Sequence, residues 1–412
     1  MKLVSSVALG AVLLLGAVPT MAIAAKEKPA AAPKMTLSKE FRAAAGPAQA
    51  AIKADPAGAD VAVAAAEAAA TLPDDKFVAA QLRLQVGSAT KSPVMQQKAV
   101  LAMLGSGSAL GNADLPRLNF YAGQFAYQAN DFPKAIQYLT EADRLGYKSG
   151  NQDGLLLLAE ANFKANNVPA GLVFVDKAIA ASMAAGVKPP ESWYARASSV
   201  AYKAKLNSES AKWTRAQVRA YPTKDNWRSA LVVYRDGAQR DGNLNLDIFR
   251  LMRLTKSLAG ERDYYEFASL STERGLPGEA KSVIDEAIAT NAVPAGSRSL
   301  IELRTMASAK IASDQASLAA AERQAAASAT GRVASATADA YLAYGQDAKA
   351  ITLYKTALTK GGVDVDAVNT RMGIAMVRSG DKAGARTAFS AVKGAARADI
   401  AAFWLLWLDQ QV

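Results

Sequence analysis

The run Asp241-Gly242-Asn243-Leu244-Asn245-Leu246-Asp247 sets oxygen-bearing side chains at alternate positions, the spacing with which a calcium loop begins. The pattern then fails. Leu246 stands where the turn glycine belongs and Met252 where the bidentate glutamate belongs, so the stretch reads as a turn between helices. Gly105-Ser-Gly-Ser-Ala-Leu-Gly111 is glycine rich, but no Lys-Ser/Thr follows it to meet a phosphate, and it reads as a linker that ends a helix. The chain has no His and no Cys. Disulfides, thiolate nucleophiles, imidazole bases and the usual zinc and haem ligands are therefore excluded. The 37 acidic residues leave acid/base pairing formally open, yet no pair is singled out by spacing. Neither a metal nor a cofactor site is expected.

The amino terminus carries an address. Lys2 precedes an uncharged apolar run, Leu3 to Gly16, followed by Pro19 and Ala22-Ile23-Ala24-Ala25, the order of a secretory signal with its small-residue cleavage site. Cleavage is expected after Ala24 or Ala25, so that 1–25 is a signal peptide. The alternative is an uncleaved anchor in the inner membrane, because Leu3 to Ala25 is long enough to span a bilayer. Residues 26–37 read as a flexible spacer of Pro, Ala and Lys. A lipobox cysteine is impossible, and no later stretch is long and uncharged enough to span. The expected location is the periplasm of a Gram-negative bacterium.

The elements that would position any site are helices. Hydrophobic residues make up 51% of the chain but aromatics only 7%, and 92 of the 412 residues are Ala, the strongest helix former and a poor core filler. One spacing recurs. A small residue is followed at +12 by a second, at +16 by a large apolar residue and at +19 by a third small one: Gly123, Ala135, Leu139, Ala142; Ala159, Gly171, Val175, Ala178; Ala268, Ala280, Ile284, Ala287; Ala338, Ala350, Tyr354, Ala357; and Gly373, Ala385, Phe389, Val392. A weaker copy runs from Ala197 through Trp213 and Ala216. Intervals between the leading residues are 36, 38, 71, 70 and 35, so two degenerate copies are expected near 226–258 and 297–330, each as a helix pair. Small residues at these offsets let two antiparallel helices approach closely, with the +16 side chain filling the groove toward the next pair. One hairpin cannot bury both its faces, so copies must stack.

These segments, 117–148, 264–294 and 334–392 above all, resemble tetratricopeptide repeats, with Pro222 and Pro294 near the family's closing proline. The resemblance implies an all-α, right-handed superhelical solenoid of antiparallel helix hairpins. Its expected divisions are an N-terminal helical region over 38–112, of degenerate repeats or a cap, a repeat array over 113–394 and a C-terminal capping helix over 395–412. It also implies a concave groove that holds a protein or peptide segment, faced by the positions three before and four after the leading small residue. Carried over, these are Phe120, Tyr127, Phe163, Tyr194 and Tyr265, with Gln124, Gln128, Lys164, Tyr202 and Arg262 on or beside the same face. Glu191-Ser192 is similar to the Glu-Ser of lytic transglycosylases, but the surrounding catalytic motifs are absent and the pair reads as a helix cap.

The net charge of +11, or +10 without Lys2, is dispersed, densest at Arg235, Arg240, Arg250 and Arg253. That is not the clustering of a nucleic-acid binder. Acidic protein segments, envelope polymer or the membrane surface are the partners such a face suits. The expected function is a non-catalytic scaffold or adaptor of the cell envelope. The alternatives are a scaffold of polysaccharide export and, in another class, a solenoid-type enzyme acting on glycan.

Overall fold

In the computed structural model, residues 35–148, 152–236 and 242–411 are described, and every regular element among them is a helix. The expected signal peptide and all but the last residues of the spacer lie outside the described residues. The chain divides into two compact units at Pro189/Pro190, inside the stretch expected as one array.

The first unit contains α1 (Lys39–Ala54), α2 (Asp60–Ala69), α3 (Pro73–Ala89), α4 (Pro93–Gly105), a short 3-10 helix (Ala109–Asp114), α5 (Leu115–Gln128), α6 (Phe132–Arg144), α7 (Asp153–Lys164) and α8 (Val168–Ala184). Consecutive helices pack as antiparallel neighbours. Gly111, in the glycine-rich connection, lies directly against the Phe77 ring, where a Cβ would sit 2.8 Å from it. Asp75 fastens the start of the unit: it is fully buried and accepts the backbone N–H groups of Ser38, Thr71 and Leu72 at 3.0, 3.1 and 3.0 Å. Burial alone would raise its pKa, but these donors outweigh that and hold it below the ordinary carboxylate value.

The second unit contains α9 (Glu191–Lys203), α10 (Asn207–Ala220), α11 (Lys224–Asp236), α12 (Gly242–Leu254), α13 (Gly260–Glu273), α14 (Pro277–Ala289), α15 (Arg298–Ala327), α16 (Arg332–Ala343), α17 (Asp347–Lys360), α18 (Val365–Arg378), α19 (Lys382–Ser390) and α20 (Ala395–Asp409). One continuous apolar core runs through it from Val218 to Leu408. Two helices are interior: Leu246 to Met252 of α12 and Ala367 to Met376 of α18 are buried without interruption.

The repeat spacing has a direct physical expression within the hairpins. A Cβ on Gly123 of α5 would lie 2.5 Å from Leu139 Cγ of α6, and one on Gly373 of α18 would lie 2.6 Å from the Phe389 ring of α19. The small residue thus admits the large one sixteen positions later. Leu139 packs on its own hairpin as well as toward Leu158 of the next, an addition to the groove-filling role expected of it. Seven positions after the leading residue the chain reverses through a left-handed residue: Asn130, Asn166, Gly275, Gly345 and Gly380, with φ of +58°, +61°, +70°, +72° and +86°. The following N–H bonds back to a helical carbonyl, as Asp131 N does to Ala126 O and Asp381 N to Met376 O, both at 2.9 Å.

Three expectations need correction. The degenerate copy at 297–330 is not a helix pair but the single 30-residue helix α15. Where its turn should fall the sequence offers Ala312-Ser313-Asp314, with neither Gly nor Asn to take the left-handed conformation, and the alanine-rich flanks continue the helix. The turn expected over 241–247 is helical from Gly242 onward, so Asp247 belongs to α12. Glu191 is not a cap: its carboxylate accepts from Gln217 Nε2 at 3.0 Å and Asn226 Nδ2 at 2.7 Å, bracing α9 to α10 and α11.

Candidate functional site

In the first unit the expected groove residues divide by burial. Phe120 is 8% exposed and stacks on Tyr147 with ring centroids 4.5 Å apart. It is core rather than an anchor open to a partner, because the hairpin to which α7 belongs needs an apolar wall at that position. Phe163 is half-buried and fills the space beside Gly171, where a Cβ would run into its ring. Tyr127 is half-buried and meets Phe132 edge-on at 5.7 Å. Gln124 is half-buried, whereas Gln128 and Lys164 are exposed.

The second unit separates its candidates more sharply. Tyr194 is 6% exposed and packs edge-on to Tyr221 at 6.3 Å, so it too is core. Tyr202 and Tyr265 are open, at 64% and 43% exposure. Arg262 is also exposed, its Nε donating to Glu266 at 3.0 Å.

Arg262 and Tyr265 share the rim of a cleft of about 420 Å³ bounded by α11, α12 and α13. Its floor is Phe249 and Leu270, and its rim also carries Arg235, Asp236, Asn245, Ser269 and Glu273 together with Glu266. The cleft coincides with a local departure from the repeat. Ala230, Gly242 and Leu246 continue the small, small, large spacing, but the next position, which calls for a small residue, is Phe249. Its ring stacks on Phe267 of α13 at 5.5 Å and 12°, and the Arg235 guanidinium lies 5.2 Å over it. The phenyl group in that position is sandwiched between α11 and α13 and floors the cleft. Arg235 also reaches Glu266 at 3.3 Å, so two guanidiniums converge on one carboxylate at the cleft edge. The cleft offers an apolar floor with charges of both signs around it, which suits a segment of polypeptide better than a single ion.

A second group of titratable side chains lies elsewhere, inside the second unit. Asp247 is fully buried; its Oδ1 accepts from Arg250 Nη1 at 2.9 Å and its Oδ2 from Arg397 Nη1 at 2.8 Å, with Arg371 at 3.6 Å. Arg250 makes a two-pronged pair with Glu279 at 2.8 and 2.7 Å, and Arg371 donates to Asp339 at 2.6 Å, which also accepts from Tyr354 Oη. Burial would lower the pKa values of Arg250 and Arg371, but the surrounding carboxylates outweigh it and raise both. Burial first, and then Asp339, drives that of Tyr354 up. Three cations face three anions, each held by an opposite charge, and all but the partly exposed Asp339 are screened from solvent. This arrangement braces α12, α14, α16, α18 and α20; it offers no free acid or base to a substrate. Among the described residues no acidic group is arranged to hold a metal ion, and no helix is long and apolar enough to cross a membrane.

Reading the sequence missed two aromatics at the chosen offsets. Trp227 and Tyr234 stand three before and four after Ala230, and both are buried. The signal was the same seven-residue spacing that picked out Phe120 and Tyr127, applied to a copy whose +19 position breaks the pattern.

No family model matches the chain, and no curated protein matches it. Among solved structures, pilF of Pseudomonas aeruginosa aligns at 13% identity over 57% of this chain and 90% of its own, with a TM-score of 0.27. A tetratricopeptide repeat protein from Parabacteroides merdae aligns at 13% over 64% and 99%, with a TM-score of 0.27. The complex of the yeast Sti1 TPR2AB domain with pHSP90 aligns at 15% over 73% and 96%, with a TM-score of 0.24. At such scores the assignment stands on the chain's own hairpins, whose register of small, large and left-handed positions is that of an all-α, tetratricopeptide-like helical repeat.

Proposed function

We propose that the protein is an exported, non-catalytic scaffold of the cell envelope that holds a protein or peptide segment in the cleft bounded by α11, α12 and α13. One observation carries this reading. Tyr265, picked out by its offset from a leading small residue, and Arg262, expected beside the same face, lie on the rim of the open cleft rather than in the core. Tyr and Arg supply a disproportionate share of interface energy, and here both flank an apolar floor. The balanced pairing of Asp247, Glu279 and Asp339 with arginines supports a bracing role for the buried carboxylates rather than acid/base catalysis. Export follows from the address in residues 1–25.

The test is affinity capture from envelope extract with the wild-type chain and with the Arg262→Ala/Tyr265→Ala variant as baits. A binding partner should lose at least about tenfold in affinity for the variant, the effect of removing one or two interface anchors. Helical content and melting should stay unchanged, because both side chains are exposed. Identical capture profiles would sink the cleft as the binding site. Intact-mass analysis of the envelope fraction should find a mature chain beginning at Ala25 or Lys26.

A further inference from the structure

The C-terminal helix does more than cover the last hairpin. Trp227 and Tyr234, at the offsets that face a partner in this repeat, are covered by α20: Phe403 sits between them, its ring centroid 6.2 Å from that of Trp227 and 5.5 Å from that of Tyr234. The Arg215 guanidinium of α10 lies 4.8 Å over the same Phe403 ring and donates to Asp399 at 2.7 Å. Arg397 reaches Asp247 of α12, and Gln410 Nε2 donates to Val218 O at 3.0 Å. Besides packing on α18 and α19, where Trp404 stacks on Phe389 at 5.4 Å, this helix is thus seated across α10, α11 and α12 by an aromatic plug, two ion pairs and a carbonyl bond. The seat is imperfect. Trp404 Nε1 of α20 and Nε of Arg215, the partner of Asp399, are buried without a hydrogen-bond partner. Unmet buried polar atoms cost free energy that a displaced helix recovers in water. The connection from α19 is only Ala391 to Gly394.

We propose that α20 is a displaceable strap, the in-chain occupant of a helix-receiving face on α10, α11 and α12. The segment able to replace it is an amphipathic helix with a cation, an acid two residues later and an aromatic four residues after that, the order of Arg397, Asp399 and Phe403. This rests on the reading that first-helix faces of the repeat receive partner segments, but the strap itself is tested without any partner.

Hydrogen exchange on the full chain supplies that test. The amides of α20 should open at lower free energy than those of α12 and α18. Asp399→Asn, which removes a half-exposed charge pair and no core atom, should speed α20 exchange about two- to fivefold while leaving α12 and α18 unchanged. Exchange of α20 in step with α12 and α18, in both wild type and variant, would make it an integral core helix and overturn the proposal. A second arm uses a labelled synthetic peptide of residues 395–411. The full-length Phe403→Ala variant, whose own strap lacks the plug, should capture this peptide at least tenfold more tightly than wild type, and should not capture the same peptide carrying Phe403→Ala. Failure of Asp399→Asn and Phe403→Ala alike to capture the intact peptide would show that the face receives no helix but its own. Neither arm touches Arg262 or Tyr265, so the strap and the cleft stand or fall separately.

Discussion

Replacing Asp247 with Asn removes one negative charge from a largely buried set of three arginines and three carboxylates while keeping the volume of the side chain. Arg250 retains Glu279 and Arg371 retains Asp339, but Arg397 is left with only Asp364, 3.7 Å away and largely solvent-exposed. Because Asp247 is fully buried and the three guanidiniums nearly so, the surplus positive charge has little water to stabilise it. Breaking a buried pair by removing one partner costs about 3 to 5 kcal/mol, whereas an exposed pair is worth about 0 to 1 kcal/mol. Glu302→Gln, at the exposed Arg298–Glu302 pair, is therefore the control. For a unit of this size, about 3 to 5 kcal/mol corresponds to a fall in Tm of roughly 6 to 20 °C. The assay is selective: all five tryptophans, Trp193, Trp213, Trp227, Trp404 and Trp407, lie beyond Pro190, so their fluorescence reports the second unit alone. Adding Arg397→Gln to Asp247→Asn rebalances the charge and should recover part of the loss. If Asp247→Asn costs less than about 1 kcal/mol, or if the double variant is as unstable as the two single losses added together, the carboxylate is not holding these arginines in a dry interior and the bracing role assigned to the network fails.

Two further predictions concern the first unit. Gly123→Ala places a Cβ 2.5 Å from Leu139 Cγ and 3.2 Å from its backbone nitrogen, and should destabilise the α5/α6 hairpin by about 1 to 3 kcal/mol in urea titration; Gly105→Ala, which meets nothing within 4 Å, should be neutral or stabilising by up to about 1 kcal/mol. Equal effects at the two sites would mean that the small position is not needed for close approach. Asp75→Ala removes an acceptor from three backbone N–H groups and should cost about 1 to 3 kcal/mol at neutral pH, read as faster amide exchange in α1. Since the folded pKa of Asp75 lies below its ordinary value of 3.8, its contribution is complete above about pH 4 and disappears as pH falls through the folded value, so wild type and variant should converge in acid. A gap that persists unchanged at low pH would show that the ionised carboxylate is not what holds the start of the unit.

What was legible in the sequence is what repeats, and what was not is what the repeat had to be broken to make. Gly123 with Leu139, and Gly373 with Phe389, are contacts within one hairpin, so a fixed offset finds them, and Asn or Gly at the seventh position marks the reversal because few other residues take positive φ. The same grid failed to separate anchor from core at Phe120 and Tyr194, because an aromatic facing along the array is buried whenever a neighbouring aromatic, Tyr147 or Tyr221, reaches it. The departures carry the site. Phe249 in a small position floors the cleft on whose rim Arg262 and Tyr265 stand, and the missing Gly or Asn near Ser313 leaves an expected hairpin as the single helix α15. The seat of α20 lies furthest from sequence periodicity, since Arg215 meets Asp399 across 184 residues and Gln410 meets Val218 across 192. Contacts of that range have no period to betray them. Yet the charge pattern was not silent: three arginines buried in one unit demand three acids, and Asp247, set aside as a failed calcium ligand, is where Arg250, Arg371 and Arg397 converge. In a chain without His or Cys, an acid at a helical position that matches no known motif is better sought as the partner of distant arginines than as a ligand for an ion.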